Sequence, residues 1–207
     1  GANGFLASYL TFYFLFLNKS KKQKTKIIAI VRDLKKAKIK FKDFLDNDFF
    51  ELTQHDVNNY FNYKGSINFI FHAASQASPK YYKIDPIGTT KPNILGTYNL
   101  LNLSVKKTPE CFLFFSSGEV YGNTESISIN ETDYGVIDPI SVRSCYGESK
   151  KMAENICVGY NVQKNINIKI VRPFHIYGPG MELNDGRVQA DFIKNILKKE
   201  NLKITSD

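Results

Sequence analysis

Short apolar runs punctuate the chain: Lys26-Ile-Ile-Ala-Ile-Val31, Ile67-Asn-Phe-Ile-Phe-His72, Cys111-Phe-Leu-Phe-Phe115 and Ile166-Asn-Ile-Lys-Ile-Val171. They are rich in β-branched and aromatic residues, and the pattern predicts strands covered on both faces. Between them Pro92 to Val105, Tyr146 to Gln163 and Val188 to Lys199 carry the patterns of helices, and Lys106-Lys107 suits a helix C-terminus. Phe5 to Leu17 is apolar almost throughout and predicts a further helix, buried against a sheet. Strands alternating with helices imply βαβ units, hence an α/β fold with a doubly wound parallel sheet. Gly122 to Ser144, rich in Asn, Ser, Thr, Asp and Pro, reads as a long functional loop.

The 207 residues suit one domain, or one and part of a second. The chain opens on Gly rather than Met, and Leu202 to Asp207 stops as a strand pattern begins. Both ends are read as truncations. The hydrophobic fraction of 43% and charged fraction of 23% are those of a soluble globular protein. Phe5 to Leu17 falls well short of the roughly 20 residues that cross a bilayer. It also lacks the cationic start and cleavage site of a signal peptide. Cys111, Cys145 and Cys157 show no CxxC spacing, which argues against a disulfide framework or a metal site and for a reducing, cytoplasmic compartment. Much of the net charge of +8 sits in one run from Lys19 to Lys26. With no aromatic interleaving, that run reads as a solvated loop rather than a nucleic-acid or membrane contact.

Gly1-Ala-Asn-Gly4-Phe-Leu-Ala7 runs directly into the apolar helix. Glycines at this spacing let the backbone turn tightly and approach a pyrophosphate, which then sits on the helix N-terminus. Ala7 takes the third position, and the strand that should precede the turn is missing. The strand after the helix ends Ile30-Val31-Arg32-Asp33. Arg32 suits the 2′-phosphate of NADP, whereas Asp33 leaves NAD open through the ribose hydroxyls. In Tyr146-Gly-Glu-Ser-Lys150 the i, i+4 spacing puts a phenol and an ammonium on one helix face. A neighbouring cation would bring the phenol toward the working range of a general base. Ser116-Ser117 ends the central strand upstream.

Read together, these segments resemble the extended short-chain dehydrogenase/reductases, in their NAD-dependent epimerase/dehydratase branch acting on nucleotide sugars. The resemblance rests on Gly1-x-x-Gly4-Phe5, Asp56-Val57, His72-Ala73-Ala74, Asn93-x-x-Gly96-Thr97, Ser116-Ser-Gly-Glu-Val-Tyr-Gly122, Tyr146-x-x-x-Lys150, Arg172-Pro173 and Tyr177-Gly178-Pro179. It implies a Rossmann-type fold holding NAD, with NADP as the alternative. A dinucleotide domain over 1–173 would precede the start of a substrate lobe over 174–207, in a homodimer that binds a nucleotide-diphosphate sugar. The resemblance places Gly1, Gly4, Phe5, Arg32, Asp56, Val57, Ala73, Ala74, Ser116, Tyr146, Lys150 and Pro173 around the cofactor. It gives Tyr146 the role of base, Ser117 a hydrogen bond to the sugar hydroxyl, and Lys150 contacts to the ribose and the tyrosine.

Within the branch the chain is most similar to UDP-glucuronate decarboxylases, through Ala73-Ala-Ser-Gln-Ala-Ser-Pro79, Glu131-Thr-Asp-Tyr134, Val142-Arg-Ser-Cys-Tyr146 and Asn184-Asp-Gly-Arg-Val188. Arg187 would then bind the diphosphate, and His175 a phosphate or sugar. Glu119 would act as a base at C5 or orient the carboxylate region. Three positions depart from that group: Gly118 where Ser is usual, Gly180 where Arg is usual, and His175 where Asn is common. Gly118 also removes the acid of the 4,6-dehydratases. A 4-epimerase needs only the Ser, Tyr and Lys set. Two other classes are a non-catalytic dinucleotide sensor, which needs no such set, and a simple carbonyl reductase, which Arg32 favours and Arg187 counts against.

Overall fold

A computed structural model of the chain describes residues 1–21, 24–124 and 127–202. Parts of three segments discussed above lie outside them: 22–23 of the lysine run, 125–126 of the long loop and 203–207 at the end.

Helix α1 (Phe5–Ser20) starts at Gly4, and β1 (Ile27–Val31) follows it. A short helix α2 (Leu34–Lys40) leads to β2 (Phe50–Gln54), which pairs parallel with β1. Then come β3 (Phe69–His72), α3 (Pro86–Lys107), β4 (Cys111–Phe115), α4 (Cys145–Lys164), β5 (Ile168–Val171) and α5 (Val188–Lys198). Strands β3, β4 and β5 form a second parallel sheet in that order. Helices α3 and α4 cover the face of β3 that carries Ile70 and His72, in a core with Leu101, Phe112, Phe114 and Ala153. Helix α1 lies on the other side, its Phe14 ring 5.6 Å from that of Phe71. Helices on both faces of parallel strands make this a doubly wound, Rossmann-type architecture. The C-terminal ends of β3, β4 and β5 meet at the edge where the site residues gather.

Several local expectations are corrected. Helix α3 begins six positions before Pro92 because Asp85-Pro86 is its true start: Asp85 caps the Gly88 N–H at 3.0 Å and Pro86 fills the first turn. Pro92 sits inside the helix and forfeits one backbone hydrogen bond there. Elements α2 and β2 escaped the sequence reading. The first is a lysine-rich helix of two turns, and the second is too short and polar to show a period. Strand β3 is only partly covered on the face that α1 approaches, where Phe69 and Phe71 stay 52% and 41% exposed. Helix α1 is only half-buried. Ser8, Thr11 and Leu15 pack inward, with Phe12 against Phe41 and Phe44, while Tyr9, Tyr13 and Phe16 face out. No described helix is long and apolar enough to cross a membrane.

The long loop is held by a bridge between Asn123 and Val136. A Cβ on Gly135 would stand 2.5 Å from the Asn123 carbonyl oxygen and closer still to that of Tyr121. Gly135→Ala should therefore destabilise the protein by about 2–3 kcal/mol, the scale of overpacking against an unyielding backbone. Urea unfolding would check this, and an unchanged midpoint would refute it.

Candidate active site

One cleft of about 1000 Å³ gathers the ends of β3, β4 and β5, the first turn of α1, the long loop and the start of α5. It is lined by Gly4, Phe5, Ala73, Ser116, Ser117, Glu119, Tyr146, Lys150, Pro173, His175 and Arg187. Gly1, Arg32, Asp56, Val57 and Ala74 do not line it. Gly1 packs on the end of β1, where a Cβ would meet the Ile30 carbonyl oxygen at 2.8 Å. Asp56 turns its carboxylate to the Asn58 N–H. Val57 crowds Gly96, whose missing Cβ lets α3 approach it and His72. Ala74 is buried.

Lys150 reaches the cleft floor from α4. It is fully buried, donates to the Phe115 carbonyl at 2.6 Å, and lies 4.7 Å from the centre of the Phe114 ring. Burial lowers its ammonium to about 7, partly offset by the Cys157 and Glu154 charges. Tyr146 shares that helix face, but its phenol is not lowered by Lys150. Burial holds it above its ordinary value, while the Ser117 hydroxyl and the Arg187 charge pull it down and Glu119 pushes it up. The i, i+4 spacing aligns the two side chains, yet the long lysine passes the ring, 5.9 Å from its centre, and ends on a carbonyl of β4.

Neighbours that the sequence reading did not assign complete the surroundings. Tyr82 stacks on Tyr146, with ring centres 4.9 Å apart and planes 11° apart, and its hydroxyl donates to the Ala77 carbonyl. Ser75 donates to Asn93, which donates to Ser149, which donates to the backbone of Tyr146. That chain pins α3 to the first turn of α4. No sequence signal pointed to Tyr82. Ser75 and Arg143 lay inside segments singled out for their likeness and were given no role.

Glu119 accepts a 3.0 Å hydrogen bond from Arg143, so one carboxylate oxygen is already occupied. Arg187 both opens α5 and lines the cleft. It donates to the Ala77 carbonyl at 2.7 Å and forms a 2.8 Å ion pair with Asp185, whose approach is too oblique for a hydrogen bond. Ser78 and Lys80 bind the backbone of Asp185 and Asn184, which fastens the Asn184–Arg187 segment to the loop that follows β3. His175 is exposed at the rim. Asp33 is exposed, and one oxygen of its carboxylate caps α2 through the Lys36 N–H at 3.0 Å. Val31 is buried in the core, which leaves Arg32 and Asp33 as the exposed side chains at that strand end.

The cleft suits a dinucleotide on two counts. The first turn of α1 has no side-chain cap and no acidic residue, so its N–H groups face the cleft open to an anion. The Ser116 hydroxyl, buried on the cleft wall, has no hydrogen-bond partner among the described residues. No described cluster of His, Cys, Asp and Glu could hold a metal ion.

The family model for the NAD dependent epimerase/dehydratase family matches residues 1–207. UDP-glucuronic acid decarboxylase 6 of Arabidopsis thaliana is 35% identical over 99% of this chain and 57% of its own length. UDP-glucuronic acid decarboxylase 4 of the same plant is 40% identical over 78% of this chain and 36% of its own. The chain thus spans about half the length, or less, of the curated relatives it matches. The structure of UDP-glucuronic acid 4-epimerase from Bacillus cereus in complex with NAD superimposes with a TM-score of 0.80, at 24% identity over 100% of this chain and 65% of that one. A dTDP-glucose 4,6-dehydratase from Streptomyces venezuelae gives 0.79 at 18% identity, over 100% of this chain and 63% of its own. These two share the fold.

Proposed function

The chain belongs to the NAD dependent epimerase/dehydratase family, and on that premise we propose that it acts on a nucleotide-diphosphate sugar, oxidising C4 transiently with bound NAD, in a UDP-glucuronate decarboxylase reaction. The observation that carries this is the convergence of Ser117, Tyr146, Lys150 and Arg187 on the same cleft as the open first turn of α1. The N–H groups of that turn would hold the pyrophosphate. Ser116, Lys150 and Pro173 would meet the nicotinamide riboside end. When bound, NAD supplies the hydride acceptor and donor at C4.

Tyr146 takes the proton of the sugar 4-hydroxyl, which Ser117 holds in place by a hydrogen bond. Lys150, with its ammonium fixed on the Phe115 carbonyl, would meet the nicotinamide ribose, while Ser117 and Arg187 favour the phenolate. Arg187 binds the diphosphate with the donors that Ala77 leaves over. Oxidation at C4 makes the C5 carboxylate a β-keto acid, which loses CO₂. Because Arg143 occupies a Glu119 oxygen, Glu119 serves orientation here rather than proton abstraction. Dehydration is disfavoured at Gly118, which has no acid and whose Cβ position lies 2.8 Å from the Phe174 ring.

Full-length protein incubated with UDP-glucuronate, UDP-glucose and dTDP-glucose should release CO₂ from the first alone. A product of unchanged mass would mean epimerisation, and loss of water dehydration. Cofactor binding without any turnover would mean a sensor. Residues 1–173 are assigned to the dinucleotide domain and 174 onward to the substrate lobe. Leu95, Tyr98, Met152, Val158 and Val162, exposed on α3 and α4, support a homodimer. A cytoplasmic site is part of the same proposal, supported by the three free cysteines.

NAD is the expected cofactor, but Arg32 stands where a 2′-phosphate would be read. Arg32→Ala should weaken NADP binding by about 1.5–3 kcal/mol and barely alter NAD. Equal changes for both in calorimetry would remove Arg32 from cofactor choice.

A further inference from the structure

A helix at a protein surface ordinarily turns its polar side outward. Helix α1 does the reverse. Its hydroxyl residues Ser8 and Thr11 are buried, each donating to a carbonyl of the preceding turn. Its aromatic residues Tyr9, Tyr13 and Phe16, at helical spacing, form an exposed ridge. No charged residue precedes Lys19 anywhere on the helix. Tyr9, at the cleft end, is tied to the Pro179 carbonyl at 2.7 Å. Tyr13 and Phe16, farther along, are 55% and 61% exposed. An aromatic ridge left open on a surface marks an interaction face.

The charge around the ridge says what it meets. Residues 19–42 hold ten lysines and Arg32 against Asp33 alone, and acids outnumber bases in the rest of the chain. The whole positive excess of the protein therefore comes from this segment. Helix α2 lies beside α1 on the same side of β1 and β2, with the Phe12 ring 5.4 Å from that of Phe41. Lys19, Lys21 and Lys24 at the end of α1 are exposed, as are Lys35, Lys36 and Lys38 on α2. None of the six is in an ion pair among the described residues. The lysine run that reads alone as a solvated loop is thus one edge of a basic layer built around an aromatic ridge. A second copy of the chain would set like charge against like. A nucleic acid is met by a groove with stacking rings and arginines, whereas these rings stand on a convex helix among lysines. An anionic bilayer surface satisfies both features, since rings enter the headgroup boundary and lysines lie on the lipid charges. We propose that the outer face of α1 and α2 docks this protein onto an anionic phospholipid surface, with Tyr13 and Phe16 inserted and the lysines on the headgroups. The helix lies along the surface and does not cross it.

The test is co-sedimentation of the full-length protein with vesicles of phosphatidylcholine, alone or mixed with phosphatidylserine. The protein should bind the mixed vesicles, leave the neutral ones, and bind less as salt rises. Tyr13→Ser with Phe16→Ser should lower affinity for the mixed vesicles about tenfold or more, because two rings no longer leave water. Lys19→Glu, Lys21→Glu and Lys24→Glu together should lower it at least as much. None of these five residues lines the cleft, so NAD affinity should change less than about twofold in either variant. Phe16→Ser alone serves if the double variant does not fold. Equal binding to both vesicle types, or binding to neither, would overturn the proposal. So would a loss confined to the lysine variant, which means unspecific attraction of charge. Tighter binding to a nucleic-acid duplex than to the mixed vesicles would give the basic layer to nucleic acid instead. A smaller particle in light scattering for the aromatic variant, with vesicle binding unchanged, would give the ridge to a second copy and equally end the proposal.

Discussion

Tyr146→Phe is expected to lower turnover roughly 10²- to 10⁴-fold while leaving NAD affinity within a few-fold of the parent protein. The substitution removes one oxygen and keeps the ring. The stack on Tyr82, with centres 4.9 Å apart, and the packing over Lys150 should therefore survive. What disappears is the group proposed to remove the 4-hydroxyl proton. Burial holds this phenol above its ordinary value, with Ser117 and Arg187 working against the burial. Activity should therefore rise with pH over the range where the phenolate begins to form, and Ser117→Ala should push that rise to higher pH. Rates of CO₂ release across pH for the three proteins would decide it. Near-parental activity in Tyr146→Phe would end the assignment of Tyr146 as base.

Lys150→Met is expected to abolish activity and to stabilise the cofactor-free protein at neutral pH by about 2–4 kcal/mol. In the folded state burial lowers the ammonium from 10.5 to about 7, whereas the unfolded chain keeps the higher value. Between those two values the unfolded state binds more protons, so this residue makes stability rise with pH. Below about 7 both states are charged and the full desolvation cost is present; above about 10.5 both are neutral and the cost is gone. The figure converts the shift at 1.36 kcal/mol per pH unit and discounts it for relaxation around the charge. Other buried groups titrate in the alkaline range, Cys157 among them, so the informative quantity is the difference between variant and parent. That difference should be largest near pH 6.5 and shrink toward pH 9 and beyond. A constant difference in urea midpoints across this range would mean that the lysine is not held against its own charge. The parent would then have no stability cost attached to its catalytic cation.

The sequence alone determined the elements whose signals are local. Strand β4 was bounded without error because Cys111 to Phe115 is an uninterrupted apolar run. Helix α4 was found within a residue at each end, and with it the alignment of Tyr146 and Lys150, because i and i+4 share a face wherever a helix forms. The glycine turn before α1 was legible for the same reason: a tight turn into a helix imposes its own residue types. Where a signal depends on what lies opposite, the sequence was silent or misleading. The run from Phe69 to His72 looked buried on both sides, but which face of a strand is covered is set by the helices that land on it. Asp33 looked wholly free, but α2 forms behind it and takes one of its carboxylate oxygens as a cap. The pairing of Tyr146 with Lys150 was visible. That the ammonium would settle on the Phe115 carbonyl, leaving Ser117 and Arg187 to act on the phenol, was not. Tyr82, Arg143 and Ser75 entered the site only through the fold, since residues far apart in the chain carry no mutual spacing and meet only when the strand ends converge. Periodicity is a property of one element, whereas a site is a property of the packing between several.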